Sequence, residues 1–242
     1  MKSLAAVGRQ READFYASLF QSQAPESFAL IVLDPRCLKN PLLEALVSDL
    51  RILADLELTP VLVVGALDAD MTSVKHQAQR LSKEIKHAGI TTDKLNCASY
   101  DLISSIKRKT ADGRMLVVEM TERRGQSHDL KTLVLELKPA KVIFLQPSGG
   151  LRKNGARVPV LKLEPTVKTA DLDPLSAGQR TFIDKAQELA KLPGNQATYV
   201  IASPLNLLSE LFTTKGSGTL MRRAATLSTV KDYDALDLNQ LR

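Results

Sequence analysis

Tryptophan is absent, and phenylalanine and tyrosine bring the aromatic content to only 4%. Few platforms remain on which nucleobases stack, and no RNP-like or zinc-finger pattern occurs. Nucleic acid is therefore not an expected partner, despite a formal charge of +6. Cysteine is scarce too. Cys37 and Cys97 stand far apart, outside any CxxC, and read as reduced, partly buried thiols of a cytosolic protein. With three histidines and no Cys/His cluster, no metal site is expected. Nor is a Ser/His/Asp triad legible: His76, His87 and His128 read as helix-surface residues. Long apolar runs are missing as well. The longest, such as LTPVLVVGAL, stop near roughly ten residues, short of a spanning helix, so no membrane segment is expected. The start, MKSLAAVGRQ, lacks a signal-peptide core but is basic at Lys2, Arg9 and Arg11. The cytoplasm is the expected location, with the mitochondrial matrix as the alternative.

What is present is apolar patterning. Hydrophobic residues make up 44% of 242, enough for one large α/β domain. The runs FALIVL (28–33), PVLVVG (60–65), RMLVVEM (114–120), KVIFLQ (141–146) and ATYVIA (197–202) are continuously apolar and of strand length. Strands without polar alternation mark a parallel sheet covered on both faces. Between them the spacing predicts helices over 41–57, 71–89, 99–109, 128–137 and 176–191. Ser203 reads as the N-cap of a further helix, 203–212, with Pro204 at its first position. The segment 147–165 reads as a hairpin or meander, and GTLMR (218–222) as one last strand. An amphipathic helix (9–22) precedes all this. The expected fold class is α/β: a three-layer αβα sandwich with a mainly parallel central sheet and an N-terminal helical extension. Its divisions are 1–27 (helix), 28–230 (main domain) and 231–242 (tail or linker).

Ligands of open parallel sheets bind beyond the C-terminal strand ends. The first loop, LDPRCLKN, has no glycine; Asp34 would repel phosphate and Pro35 has no N–H to offer. The second, VGALDAD, has one glycine followed by Asp68 and Asp70, which read as a solvated helix start or weak metal ligands. PSGGLRKNG is better equipped: Gly149 and Gly150 permit close approach, and Arg152 and Lys153 add charge. It reads as a phosphate or nucleobase contact, or as a structural tight turn. TTKGSG, with Lys215, Gly216 and Gly218, follows a helix and so is not a Walker A loop; it suits an anion or an amino acid.

Taken together, SPLNLLSELFTTKGSGTLMRRA (203–224), KPAKVIFLQPSGGLR (138–152) and the pair FALIVLDPRCL and LELTPVLVVGAL resemble the amino-acid kinase fold of the N-acetylglutamate kinase and synthase group. The match is most specific in the last third and poor over roughly 89–128. DYDALDLNQLR resembles the linker to the acetyltransferase domain of such synthases. Active members of the group have Lys-x-Gly-Gly where Val32, Asp34 and Pro35 stand here. Their His-Gly-Gly-Gly reads Val64, Gly65, Ala66, Leu67. Their orienting aspartate matches Asp129 after Ser127 and His128. Their second lysine falls near Thr181, with Arg180 the nearest cation. The resemblance thus implies a kinase-like domain without phosphoryl transfer, because that chemistry rests on positioned positive charge. Only under the alternative, an active N-acetylglutamate kinase with unusual loops, would Asp129 be catalytic and ATP with magnesium be bound; otherwise no cofactor is expected. The resemblance further implies an L-arginine site. Glu210 would hold the guanidinium, backbone of 214–218 with Lys215, Gly216 and Gly218 the amino-acid end, and Tyr16 would lie over the ligand. Homo-oligomerisation through Phe15, Leu19 and Phe20, and an acetyltransferase domain or chain as partner, complete the expectation. The bland reading of Glu210 is a helix-end acid paired with Lys215.

Overall fold

The structure, a computed structural model, describes residues 10–66, 71–120, 129–163, 172–213 and 216–223. Ten strands are described: β1 (Ala29–Leu33), β2 (Val61–Val64), β3 (Thr92–Asn96), β4 (Met115–Glu119), β5 (Lys141–Leu145), β6 (Arg152–Lys153), β7 (Ala156–Arg157), β8 (Val160–Lys162), β9 (Thr198–Ala202) and β10 (Thr219–Arg222). Eight of them form one sheet in the order β3-β4-β2-β1-β5-β9-β10-β8; β6 and β7 form a separate hairpin. The six strands β3, β4, β2, β1, β5 and β9 are parallel, as continuous apolar runs predict. β10 reverses direction against β9 and carries β8 beside it.

Among the described residues seven α-helices cover the sheet: α1 (Gln10–Gln21), α2 (Leu42–Asp55), α3 (Met71–His87), α4 (Leu102–Ala111), α5 (Leu130–Leu137), α6 (Ala177–Ala190) and α7 (Leu207–Phe212). The two-residue period of the strands divides the core. Ile31 and Leu33 of β1 join a cluster with α1, α2, α3 and α7, whereas Leu30 and Val32 join one with α4, α5 and α6. This is the three-layer arrangement expected from the sequence. Phe20 of α1 is buried edge-on against Phe28 and Phe212, so the first helix is part of the first cluster.

Two local outcomes differ from the sequence reading. β3 was not foreseen, because TDKLN carries no apolar run. It is the outermost strand, its residues mostly half-exposed, and its place comes from pairing with β4. The 203–212 segment is divided. Ser203 caps a 3-10 turn, Pro204–Asn206, and the α-helix starts only at Leu207. The meander does contain a hairpin, turning through Asn154 and Gly155, both at positive φ. Its continuation, β8, leaves the hairpin and joins the main sheet.

Candidate functional site

Two regions bear on function. At the C-terminal strand ends, Asp34, Gln146 and Ser203 follow the paired strands β1, β5 and β9. Asp34 is almost fully buried and caps the 3-10 turn Pro35–Leu38 by accepting the Arg36 N–H at 2.8 Å. The Arg36 guanidinium closes on it with two bonds, Nε to Oδ1 at 3.0 Å and Nη2 to Oδ2 at 2.7 Å. This fork neutralises the carboxylate and holds the loop. Gly178, in the first turn of α6, abuts the pair: a Cβ there would lie 3.0 Å from Asp34 Oδ2. The loop therefore presents an ion pair and a proline where a phosphate cradle needs bare N–H groups. Asp129 caps α5, its Oδ1 accepting both the N–H and the hydroxyl of Thr132 at 2.8 and 2.9 Å. Arg180 is exposed on α6, and His76 and His87 are exposed on α3. Asp68, Asp70, Ser127, His128 and Lys215 lie outside the described residues.

The second region surrounds α7. Glu210 is buried, and its Oε1 accepts the Gly218 N–H at 2.6 Å and the Ser217 hydroxyl at 3.4 Å. Gly216 packs on the same carboxylate so tightly that a Cβ would lie 2.1 Å from Oε2. Lys141, the first residue of β5, was missed by the sequence reading. Its Nζ donates to the carbonyls of Glu210 and Leu211 at 2.5 and 3.0 Å. It also faces the Tyr16 and Phe20 rings, 5.4 and 5.8 Å from their centres. Burial pushes the Lys141 ammonium down to about 8 and the Glu210 carboxyl up, although each charge favours the other. Glu210, Gly216, Gly218 and Tyr16 are thus brought together with Lys141. The cation seated on the helix-end carbonyls and the aromatic faces is Lys141 itself, while the Glu210 carboxylate is held by Gly218 and packed on by Gly216. A polar residue opening an otherwise apolar strand was the only signal of Lys141 in the sequence.

Gly149 and Gly150 adjoin this second region. A Cβ on Gly150 would lie 2.8 Å from the Gly218 carbonyl carbon and 2.9 Å from Thr219 N. Leu151 N–H donates to the Thr219 hydroxyl at 2.7 Å. The two glycine loops, separate in the sequence, pack as one unit.

No family model matches the chain. Over 96% of its length it is 25% identical to the acetylglutamate kinase of Xanthomonas campestris, covering 67% of that protein. A stretch of 46% of the chain is 35% identical to the mitochondrial N-acetylglutamate synthase of Mus musculus, covering 21% of it. Among solved structures, the N-acetylglutamate synthase of Neisseria gonorrhoeae complexed with coenzyme A and L-arginine superposes with a TM-score of 0.70 at 17% identity, over 93% of this chain and 66% of that one. The fold is therefore amino-acid kinase-like. The chain is a homologue of proteins named acetylglutamate kinase and N-acetylglutamate synthase, and it spans about two thirds or less of their length.

Proposed function

We propose that this chain is a kinase-like regulatory and scaffolding domain of arginine biosynthesis, of the N-acetylglutamate synthase type. It binds L-arginine, forms homo-oligomers, and acts on an acetyltransferase domain or chain without transferring phosphate itself. The observation that carries the reading is the buried carboxylate of Glu210, which meets Gly218, Ser217 and Gly216, with Lys141 on the helix-end carbonyls beside Tyr16. It is the group we assign to the guanidinium of a ligand that brings its own amino-acid charges. The gonococcal structural neighbour is complexed with L-arginine, which supports the same ligand class. The absence of kinase chemistry rests on the Asp34–Arg36 fork at the C-terminal end of β1. The closed ion pair and Pro35 leave the loop neither a lysine ammonium nor bare N–H groups for the negative charge that phosphoryl transfer must stabilise. Oligomerisation rests on α1, whose Phe15 and Leu19 are 63% and 40% exposed; Phe20, expected on the same face, is instead buried against Phe28 and Phe212 and is not part of it. Among the described residues no helix is long and apolar enough to cross a membrane. The reading is compatible with the cytoplasm or, as for the mouse relative, the mitochondrion.

The test is calorimetry with L-arginine on the wild type and on Glu210→Gln. Binding by the wild type, weakened at least about tenfold in the variant, is expected from loss of a charge-assisted pair. No heat at millimolar arginine removes the regulatory reading. ATP-dependent turnover of N-acetylglutamate above background would establish the kinase alternative instead.

A further inference from the structure

The β6–β7 hairpin and the outer strands β8 and β10, with the residue that follows, carry six exposed cations: Arg152, Lys153, Arg157, Lys162, Arg222 and Arg223. Their register is unusual. Arg152 stands directly opposite Arg157 in the hairpin, and Lys162 directly opposite Arg222 in the sheet. Like charges in directly opposed positions destabilise a strand pair. Here two such pairs lie on adjoining elements, fastened together. Val158 N–H donates to Leu151 O at 2.9 Å, the Thr219 hydroxyl to Val158 O at 2.7 Å, and Leu220 N–H to Pro159 O at 2.9 Å. The Arg152 and Arg157 guanidinium groups donate to the carbonyls of Gly155 and Gly216, not to acids. Among the described residues Arg152, Arg157, Lys162, Arg222 and Arg223 form no ion pair. The nearby Asp173 accepts the N–H groups of Asn154 and Gly155 at 2.7 and 2.9 Å instead. β8 is also the last strand of the sheet and, among the described residues, pairs only with β10. Its outer row of N–H and C=O groups is a template for a further strand.

We propose that this edge is a docking site for an extended acidic segment of a partner protein, which adds as a strand beside β8. Backbone pairing supplies affinity, an acid opposite Lys162 meets it, and Arg222, one strand further in, adds to the positive field. The hairpin arginines extend the positive field beyond the strand. The patch has no aromatic side chain for stacking a base, and Val160 alone, 41% exposed, is no apolar face for a lipid surface. This inference is independent of the arginine reading.

The test uses the full chain and a fluorescent peptide of alternating aspartate and valine, with oligothymidylate and phosphatidylserine vesicles as competitors. The peptide is expected to bind at low salt, to weaken as salt rises, and to protect the amides of Val160–Lys162 from hydrogen exchange. K162E/R222E and R152E/R157E are each expected to weaken it at least about tenfold, because each reverses two charges and turns attraction into repulsion. The milder K162Q/R222Q serves if charge reversal disturbs folding. Unchanged affinity in a folded variant overturns the proposal. So do unprotected β8 amides, no peptide binding at low salt, or tighter binding of the oligonucleotide or the vesicles.

Discussion

The ammonium of Lys141 lies 5.4 Å from the centre of the Tyr16 ring, joining the first helix to the start of β5. The same ammonium holds the last carbonyls of α7, so one buried cation couples α1, β5 and α7.

The direction of its pKa sets a pH dependence. In the folded chain Lys141 loses its proton near 8, while in the unfolded chain it keeps it to about 10.4. Between those values the unfolded state binds more protons, so this residue makes stability rise with pH. Below about 8 both states are charged, and the full burial penalty applies. Lys141→Met should remove that slope. Denaturant unfolding from pH 7 to 10.5 should show the wild type gaining on the variant by up to about 3 kcal/mol.

Glu210→Gln separates binding from stability. Glutamine keeps an acceptor for the Gly218 N–H but removes a charge that burial disfavours. The Glu210 carboxyl titrates higher in the folded chain. Its contribution is therefore fully present below its unfolded value and declines as pH rises through the folded one. At neutral pH the variant should melt at or above the wild-type temperature while failing to bind L-arginine. A lowered melting temperature would show that the charge itself holds the loop.

Gly218→Ala should damage the framework. A Cβ would fall 2.3 Å from the Ile201 carbonyl oxygen, a backbone atom of β9 that cannot turn aside. A loss on the order of 2 kcal/mol or more is expected, as for overpacked sites. Thermal unfolding checks it.

Asp34→Ala removes the turn cap and the Arg36 fork together. A loss of about 1–2 kcal/mol is expected from the cap. An ATP-turnover assay should read the same background before and after the change. Activity that appeared in wild type and vanished in the variant would instead make Asp34 functional.

Phe15→Glu with Leu19→Glu should lower the oligomeric mass seen by light scattering while leaving the folded far-UV circular dichroism spectrum unchanged, since both side chains are exposed in the single chain.

The sequence by itself determined the layers. Val61–Val64 and Met115–Glu119 are apolar at every position or nearly so, which only a strand buried on both faces requires; the intervening helices carry their apolar residues at helical spacing. Local periodicity reports which face of an element is buried, and that was enough for the three layers; Glu210 of α7 was singled out only by the resemblance carried by residues 203–224. Periodicity is blind to what arrives from far along the chain. β3 is a strand because β4 lies beside it, not because Thr92–Asn96 is apolar. Lys141 meets the carbonyl of a residue 69 positions away, and Gly150 is required by the backbone of Gly218. Such contacts are set by packing at a few ångströms between segments whose own patterns carry no trace of each other, so only the tertiary structure decided them.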